Sequence, residues 1–217
     1  MPIASAVTFT PNVPATVTPT AAPLPAGLTY QTDCEIYYGV APDSPRDQAL
    51  DGRYGNGPQV PSPNGEYVAF RSYTVNGSQA IHAIHVESTS GAPAVQVPVQ
   101  GLPGLSFLTN PIWSADGQYI AFTAGSLSEP GGGRVYSLKL GSNELRSVAE
   151  YMGYHDLIAW SPAGTQIAYT SGPVSPESLT HVWPYQIYVA DRDGHGQPQR
   201  VADGCDPVWQ LNPPPGG

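Results

Sequence analysis

Ile112-Trp113-Ser114-Ala115-Asp116-Gly117-Gln118-Tyr119-Ile120-Ala121-Phe122 is the stretch that decides how the chain is read. Ser-Ala-Asp-Gly is turn chemistry: Ser and Asp side chains bond the turn backbone, and Gly supplies a positive φ. The run Tyr-Ile-Ala-Phe that follows alternates bulky and small residues with the two-residue period of a strand. A short strand ending in Trp113, a tight turn and a second strand make a β-hairpin.

The same hairpin occurs twice more. Val60-Pro61-Ser62-Pro63-Asn64-Gly65-Glu66-Tyr67-Val68-Ala69-Phe70 precedes it, and Ala159-Trp160-Ser161-Pro162-Ala163-Gly164-Thr165-Gln166-Ile167-Ala168-Tyr169 follows. The turn serines, Ser62, Ser114 and Ser161, are 52 and 47 residues apart, which is an internal repeat of about fifty residues. After each hairpin the pairs Ile81-His82, Val135-Tyr136 and Ile187-Tyr188 open a third strand. A polar turn and a fourth strand come next, near 94–99, 144–148 and 198–202. In this alignment His82 stands where Tyr136 and Tyr188 stand. Four antiparallel strands in about fifty residues are the repeat of a propeller blade.

The pattern Trp-Ser-x-Asp-Gly-x-x-Ile-Ala-Phe, followed by Ile-Tyr-x-x-Asp-x-x-Gly, resembles the WD40-like (PD40) repeat of TolB-like propellers, which also occurs in the propeller domains of prolyl-oligopeptidase-like enzymes. The resemblance covers residues 57–210. It departs from the pattern at Pro61, which replaces Trp, and at Asn64 and Ala163, which replace Asp. It implies an all-β propeller that acts as a binding module.

Partial units flank the three complete ones. Asp206-Pro207-Val208-Trp209-Gln210 repeats a first strand, and Glu35-Ile36-Tyr37-Tyr38-Gly39-Val40 repeats a third, with a fourth strand near Arg53-Tyr54. The expected fold is therefore three complete blades plus a fourth shared between N- and C-terminal strands, which removes open sheet edges. The alternative is a half-ring that pairs with another copy. Residues 33–212 are read as the propeller and 213–217 as a Pro/Gly tail. Residues 1–32 carry no charged side chain and read as an extended arm or linker, a route to surface attachment. A sharper reading of the arm makes Ala6-Val7-Thr8-Phe9-Thr10 a strand that adds to a neighbour's sheet, with Val7 and Phe9 as contacts.

Composition narrows the function. The chain of 217 residues has a formal net charge of −9 and only 8 Lys and Arg, which argues against nucleic acid as a partner. No run of eighteen apolar residues is present to span a membrane. The 24 Gly and 25 Pro would suggest disorder, but 13 Tyr and 4 Trp supply a core. The cysteines, Cys34 and Cys205, lie near opposite ends. They read either as one bridge formed in an oxidising compartment or as two unrelated buried thiols.

Signatures of catalysis are missing: the sequence has no Gly-x-Ser-x-Gly elbow, no phosphate loop, no His-Glu-x-x-His and no paired-cysteine zinc site. His82 and His85 lie three apart on a strand and so face opposite sides. Asp191-Arg192-Asp193-Gly194-His195-Gly196 opens like a calcium loop, but no bidentate Glu follows at the right distance, and it reads as an ordinary hairpin turn. Asn76-Gly77-Ser78 reads as a turn, and Trp113, Trp160 and Trp209 as core aromatics. Trp183 and Tyr185, by the 172–184 insertion, are candidate partner contacts.

The expectation is a non-catalytic, extracytoplasmic propeller without cofactor or metal that binds a protein partner. The rival readings are a self-assembling subunit, built from copies of itself through the arm and exposed blade edges, and a carbohydrate-binding propeller. Very low charge favours the first rival, since charges normally protect sheet edges.

Overall fold

The computed structural model describes residues 21–32, 34, 57–76, 79–91, 95–99, 105, 107–125, 133–142, 144–151, 158–172 and 185–210. Among them are fifteen strands and no helix. Strand β1 (Leu28–Gln31) lies apart from its sequence neighbours and is taken up below. The first sheet runs β2 (Val60–Pro61), β3 (Tyr67–Asn76), β4 (Gln79–Ser88) and β5 (Val95–Pro98), each antiparallel to the next. In the second sheet, β6 (Phe107–Leu108) and β7 (Ile112–Trp113) both pair β8 (Tyr119–Gly125), followed by β9 (Gly133–Lys139) and β10 (Glu144–Tyr151). The third is β11 (Ile158–Trp160), β12 (Gln166–Ser171), β13 (Gln186–Asp191) and β14 (Gln199–Asp203).

The turn between first and second strands forms as its chemistry dictates. Gly65, Gly117 and Gly164 have φ of 71°, 66° and 65°. Their N–H groups donate to the carbonyls of Ser62, Ser114 and Ser161 at 2.8–2.9 Å. Each serine hydroxyl also accepts the N–H of the residue that opens or precedes the next strand, from Tyr67, Tyr119 and Gln166, at 3.0 Å. Ser62 and Ser114 donate onward to Asn64 and Asp116. Ala163 offers no such acceptor, and Ser161 instead takes a second N–H from Thr165 at 3.3 Å.

Stacking follows from the alternation in the second strands. Ile120 and Phe122 of the second sheet pack with Ala69, Ile84 and Val86 of the first. Ile167 and Tyr169 of the third pack with Ala121 and Val135 of the second. Bulky residues thus point to the preceding sheet, and the alanine leaves room for the following one. Trp113 and Trp160 tie the layers further, donating from Nε1 to the carbonyls of Val60 (2.8 Å) and Ile112 (3.2 Å).

The last strand, β15 (Cys205–Trp209), pairs antiparallel with β1. Leu28 lies opposite Trp209, as Ile120 lies opposite Trp113 and Ile167 opposite Trp160. Leu28-Thr29-Tyr30 is therefore the second strand of a sheet that both ends of the chain share. This corrects the boundary placed at residue 32: the last residues of the expected arm are folded, with Leu28 buried against Ala168, Ile187 and Val189 of the third sheet. Cys34 and Cys205 form a disulfide with Cα atoms 5.9 Å apart, next to that pairing. The third and fourth strands expected near Glu35–Val40 and Arg53-Tyr54 lie outside the described residues, as do Val7, Phe9 and the tail 213–217.

One register is also corrected. His85, not His82, occupies the place of Tyr136 and Tyr188. Phe70 pairs with His85, Phe122 with Tyr136, and Tyr169 with Tyr188 across their strands. Each pair stacks, at 4.8, 5.6 and 5.7 Å between ring centroids. The β3–β4 hairpin is long, with ten residues in each strand, so counting back from its apolar start misplaces the pair by three.

Candidate functional site

The first strands β7 and β11, together with β15, line an open cleft of about 380 Å³. Its walls include Trp113, Trp160, Trp209 and Ile158, and its carboxylate is Asp206. Trp160 is buried, while Trp113 and Trp209 are half-buried. Trp209 donates to the carbonyl of Ala26 at 3.2 Å, so the three rings are fixed by backbone acceptors. Val208, also in the cleft, is 57% exposed and is one of two exposed large hydrophobic residues among those described. An aliphatic side chain held in the open among tryptophans is the kind of surface that marks a contact site.

Asp206 is the described non-glycine residue with a left-handed backbone, at φ 52°. That conformation carries a cost of about 1 kcal/mol or more and persists only when the surroundings impose it. Here the Asp206 N–H donates to Thr170 Oγ1 at 3.1 Å, and the neighbouring Cys205 is held by its disulfide. Strained backbone beside an exposed apolar cleft directs attention to this end of β15.

The sequence-predicted contacts fare differently. Tyr185 is corrected: it is 3% exposed and packs with the Cys34–Cys205 disulfide, because residues after the 172–184 insertion return directly into β13. A Cβ on Gly172 would lie 2.5 Å from its ring, so the packing there is close. Trp183 lies outside the described residues. The cleft residues Asp206 and Val208 were not singled out from sequence. Asp206-Pro207-Val208-Trp209 reads only as another first strand, and nothing in its pattern reports exposure.

His82 and His85 lie on opposite faces of β4. His85 Nε2 is 2.7 Å from Ser72 Oγ, whereas His82 sits edge-on to Tyr73, 5.0 Å between centroids. His82 is buried and its Nδ1 has no partner. Burial, and secondarily the Arg71 guanidinium, push its pKa below the ordinary 6.5. Arg71 itself is buried, with Nε bonded to Asn110 Oδ1 at 2.9 Å. His82 therefore takes up its proton at a lower pH in the fold than in the unfolded chain, which does so below about pH 6.5. Stability should be fully present above that pH and fall as pH drops toward the lower folded value. Urea midpoints measured at pH 7.5 and 5.5 should show this fall, and His82→Gln should lessen it. An equal fall in the variant would clear His82 of the effect.

Among the described residues, no group of three or more His, Cys, Asp or Glu comes together to hold a metal, and no helix is long and apolar enough to cross a membrane.

No family model and no curated protein matches the sequence. Solved structures do match. AtxE2 isopeptidase in its apo form aligns with a TM-score of 0.51 and 16% identity, over 66% of this chain and 28% of that one. The chain's own fold is all-β among the described residues, with three antiparallel sheets of four or five strands. TolB from Acinetobacter baumannii aligns at 0.49 and 16%, over 72% and 35% of the two chains. The β-propeller domain of the Trilobed protease from Pyrococcus furiosus aligns at 0.41 and 11%, over 69% and 58%. TolB and a β-propeller domain are thus among the structures the chain is similar to. This chain spans less than two thirds of each of the three, and at such identities the likeness concerns the fold alone.

Proposed function

We propose that the chain is a non-catalytic protein-interaction module of the propeller type that works outside the cytoplasm, and that the cleft around Val208 is its docking surface. The observation that carries this reading is the 57% exposure of Val208 between ordered tryptophans. A partner's apolar side chain would displace water from that cleft, which is the usual source of affinity at the centre of an interface. The disulfide supports an oxidising compartment, because thiols are kept reduced in the cytosol. The net charge of −9 favours a partner with basic groups at its rim, whose approach it would speed at low salt.

The test is a photoreactive benzoylphenylalanine placed at position 208 in the producing cell, with position 87 as control, since Glu87 is exposed on the first sheet. Adducts of one defined mass from 208, absent from 87, are the expected result. Adducts from neither position, or equally from both, would overturn the assignment of the cleft.

A further inference from the structure

The repeat itself points to a second site. On the third strand of each sheet, the residue opposite the conserved-position alanine is Val86 opposite Ala69, Ser137 opposite Ala121, and Val189 opposite Ala168. Two repeats fill this buried place with valine. The middle one substitutes serine, 1% exposed. This serine lies on a partly open cavity of about 230 Å³ between β9, β10 and the turn after β13. Ser137 lines it together with Tyr119, Lys139, Glu144, Arg146 and Asp193, and His195 stands at the turn.

The turn that forms one wall packs closely on β10. A Cβ on Gly194, which has φ 69°, would lie 2.6 Å from the Ser147 carbonyl, so the turn sits directly on β10. Arg146 Nη1 reaches the Asp193 carbonyl at 3.5 Å, and its Nη2 pairs with Glu144. Arg192 lies 4.1 Å over the Tyr119 ring and donates to the Gly164 carbonyl at 2.8 Å.

The chemistry of the lining selects the ligand. An apolar guest would strand a buried hydroxyl and several charges. A simple anion would meet Lys139 and Arg146 but also Glu144 and Asp193. A neutral molecule whose hydroxyls each donate and accept can satisfy all of them at once. The volume equals that of roughly eight waters, below the usual range for drug-sized pockets and suited to one sugar ring. We propose that this inter-sheet cavity binds a single polyhydroxylated ring, a hexose unit, with Ser137 at its floor and Lys139, Arg146, Glu144 and Asp193 around its hydroxyls. The site is independent of the Val208 cleft.

Ligand-observed NMR and calorimetry with D-glucose, D-galactose, D-mannose and N-acetyl-D-glucosamine test it, with inorganic phosphate as the anion arm. At least one sugar should bind saturably with a Kd of about 1–10 mM, as expected for so small a ligand. Ser137→Val restores the residue of the sister repeats, so the fold should stand with an unchanged or higher thermal midpoint. Binding should weaken by about tenfold or more through loss of the hydroxyl and the space. Lys139→Met should weaken it without filling the cavity. No saturable binding by any of the four sugars overturns the proposal, and so does binding of phosphate alone or equal binding by Ser137→Val. The photocrosslink at position 208 should be unaffected by Ser137→Val, which separates failure here from failure of the docking surface.

Discussion

Replacing both Cys34 and Cys205 by serine should lower the free energy of unfolding by about 5 kcal/mol. The bridge spans 171 residues, and a loop of that length gives a value of this size in the chain-entropy model. It acts chiefly on the unfolded chain, whose ends it keeps together. In the folded chain the two half-cystines lie buried with Tyr185, beside the pairing of Gln31 with Cys205. Since whole domains have only about 5–15 kcal/mol of stability, this loss would leave the chain close to unfolding at 37 °C. Urea titration of the oxidised protein and of the double variant measures it. A difference below about 1 kcal/mol would mean that the β1–β15 pairing closes the chain without covalent help.

The second large effect concerns the stacking of the sheets. Phe122→Ala should cost about 3–5 kcal/mol, because the ring is fully buried between the first and second sheets and stacks on Tyr136. Phe70 occupies the same repeat position but is only half-buried, so Phe70→Ala should cost about 1–2 kcal/mol, mostly from its contact with His85. Chemical denaturation of the two variants side by side reads the difference. Equal losses would show that the face of the first sheet carrying Phe70 is covered as completely as the face carrying Phe122.

The contrast between those phenylalanines illustrates how far the sequence could be read. Turn and second strand are local features. Ser-x-x-Gly and the alternation after it specify the hairpin within a dozen residues, so three sheets were visible at once. Leu28-Thr29-Tyr30 is harder to place because Thr replaces the small alanine and Pro25-Ala26-Gly27 before it lacks the turn serine, although Gly27 takes the same positive φ, 79°. Its membership of a sheet depends on β15, at the other end of the chain. The misplacement of His82 has a different cause. A period of two allows slips of two or four residues, not three, so the matching dipeptide Ile81-His82 misleads and only the cross-strand partner of Phe70 sets the register. That slip also concealed Ser137, since its comparison with Val86 and Val189 needs the third strands in true register.

Sequence by itself determined the element type, the repeat length and the identity of the layers, because turn geometry and strand alternation depend on neighbours a few bonds away. The tertiary structure decided which half-cystine meets which strand, that Tyr185 is interior, and that Val208 stands in the open. It also decided that one serine faces a cavity where its sister positions are filled. Each of these depends on how whole sheets pack, and exposure is a property of what the rest of the chain leaves uncovered.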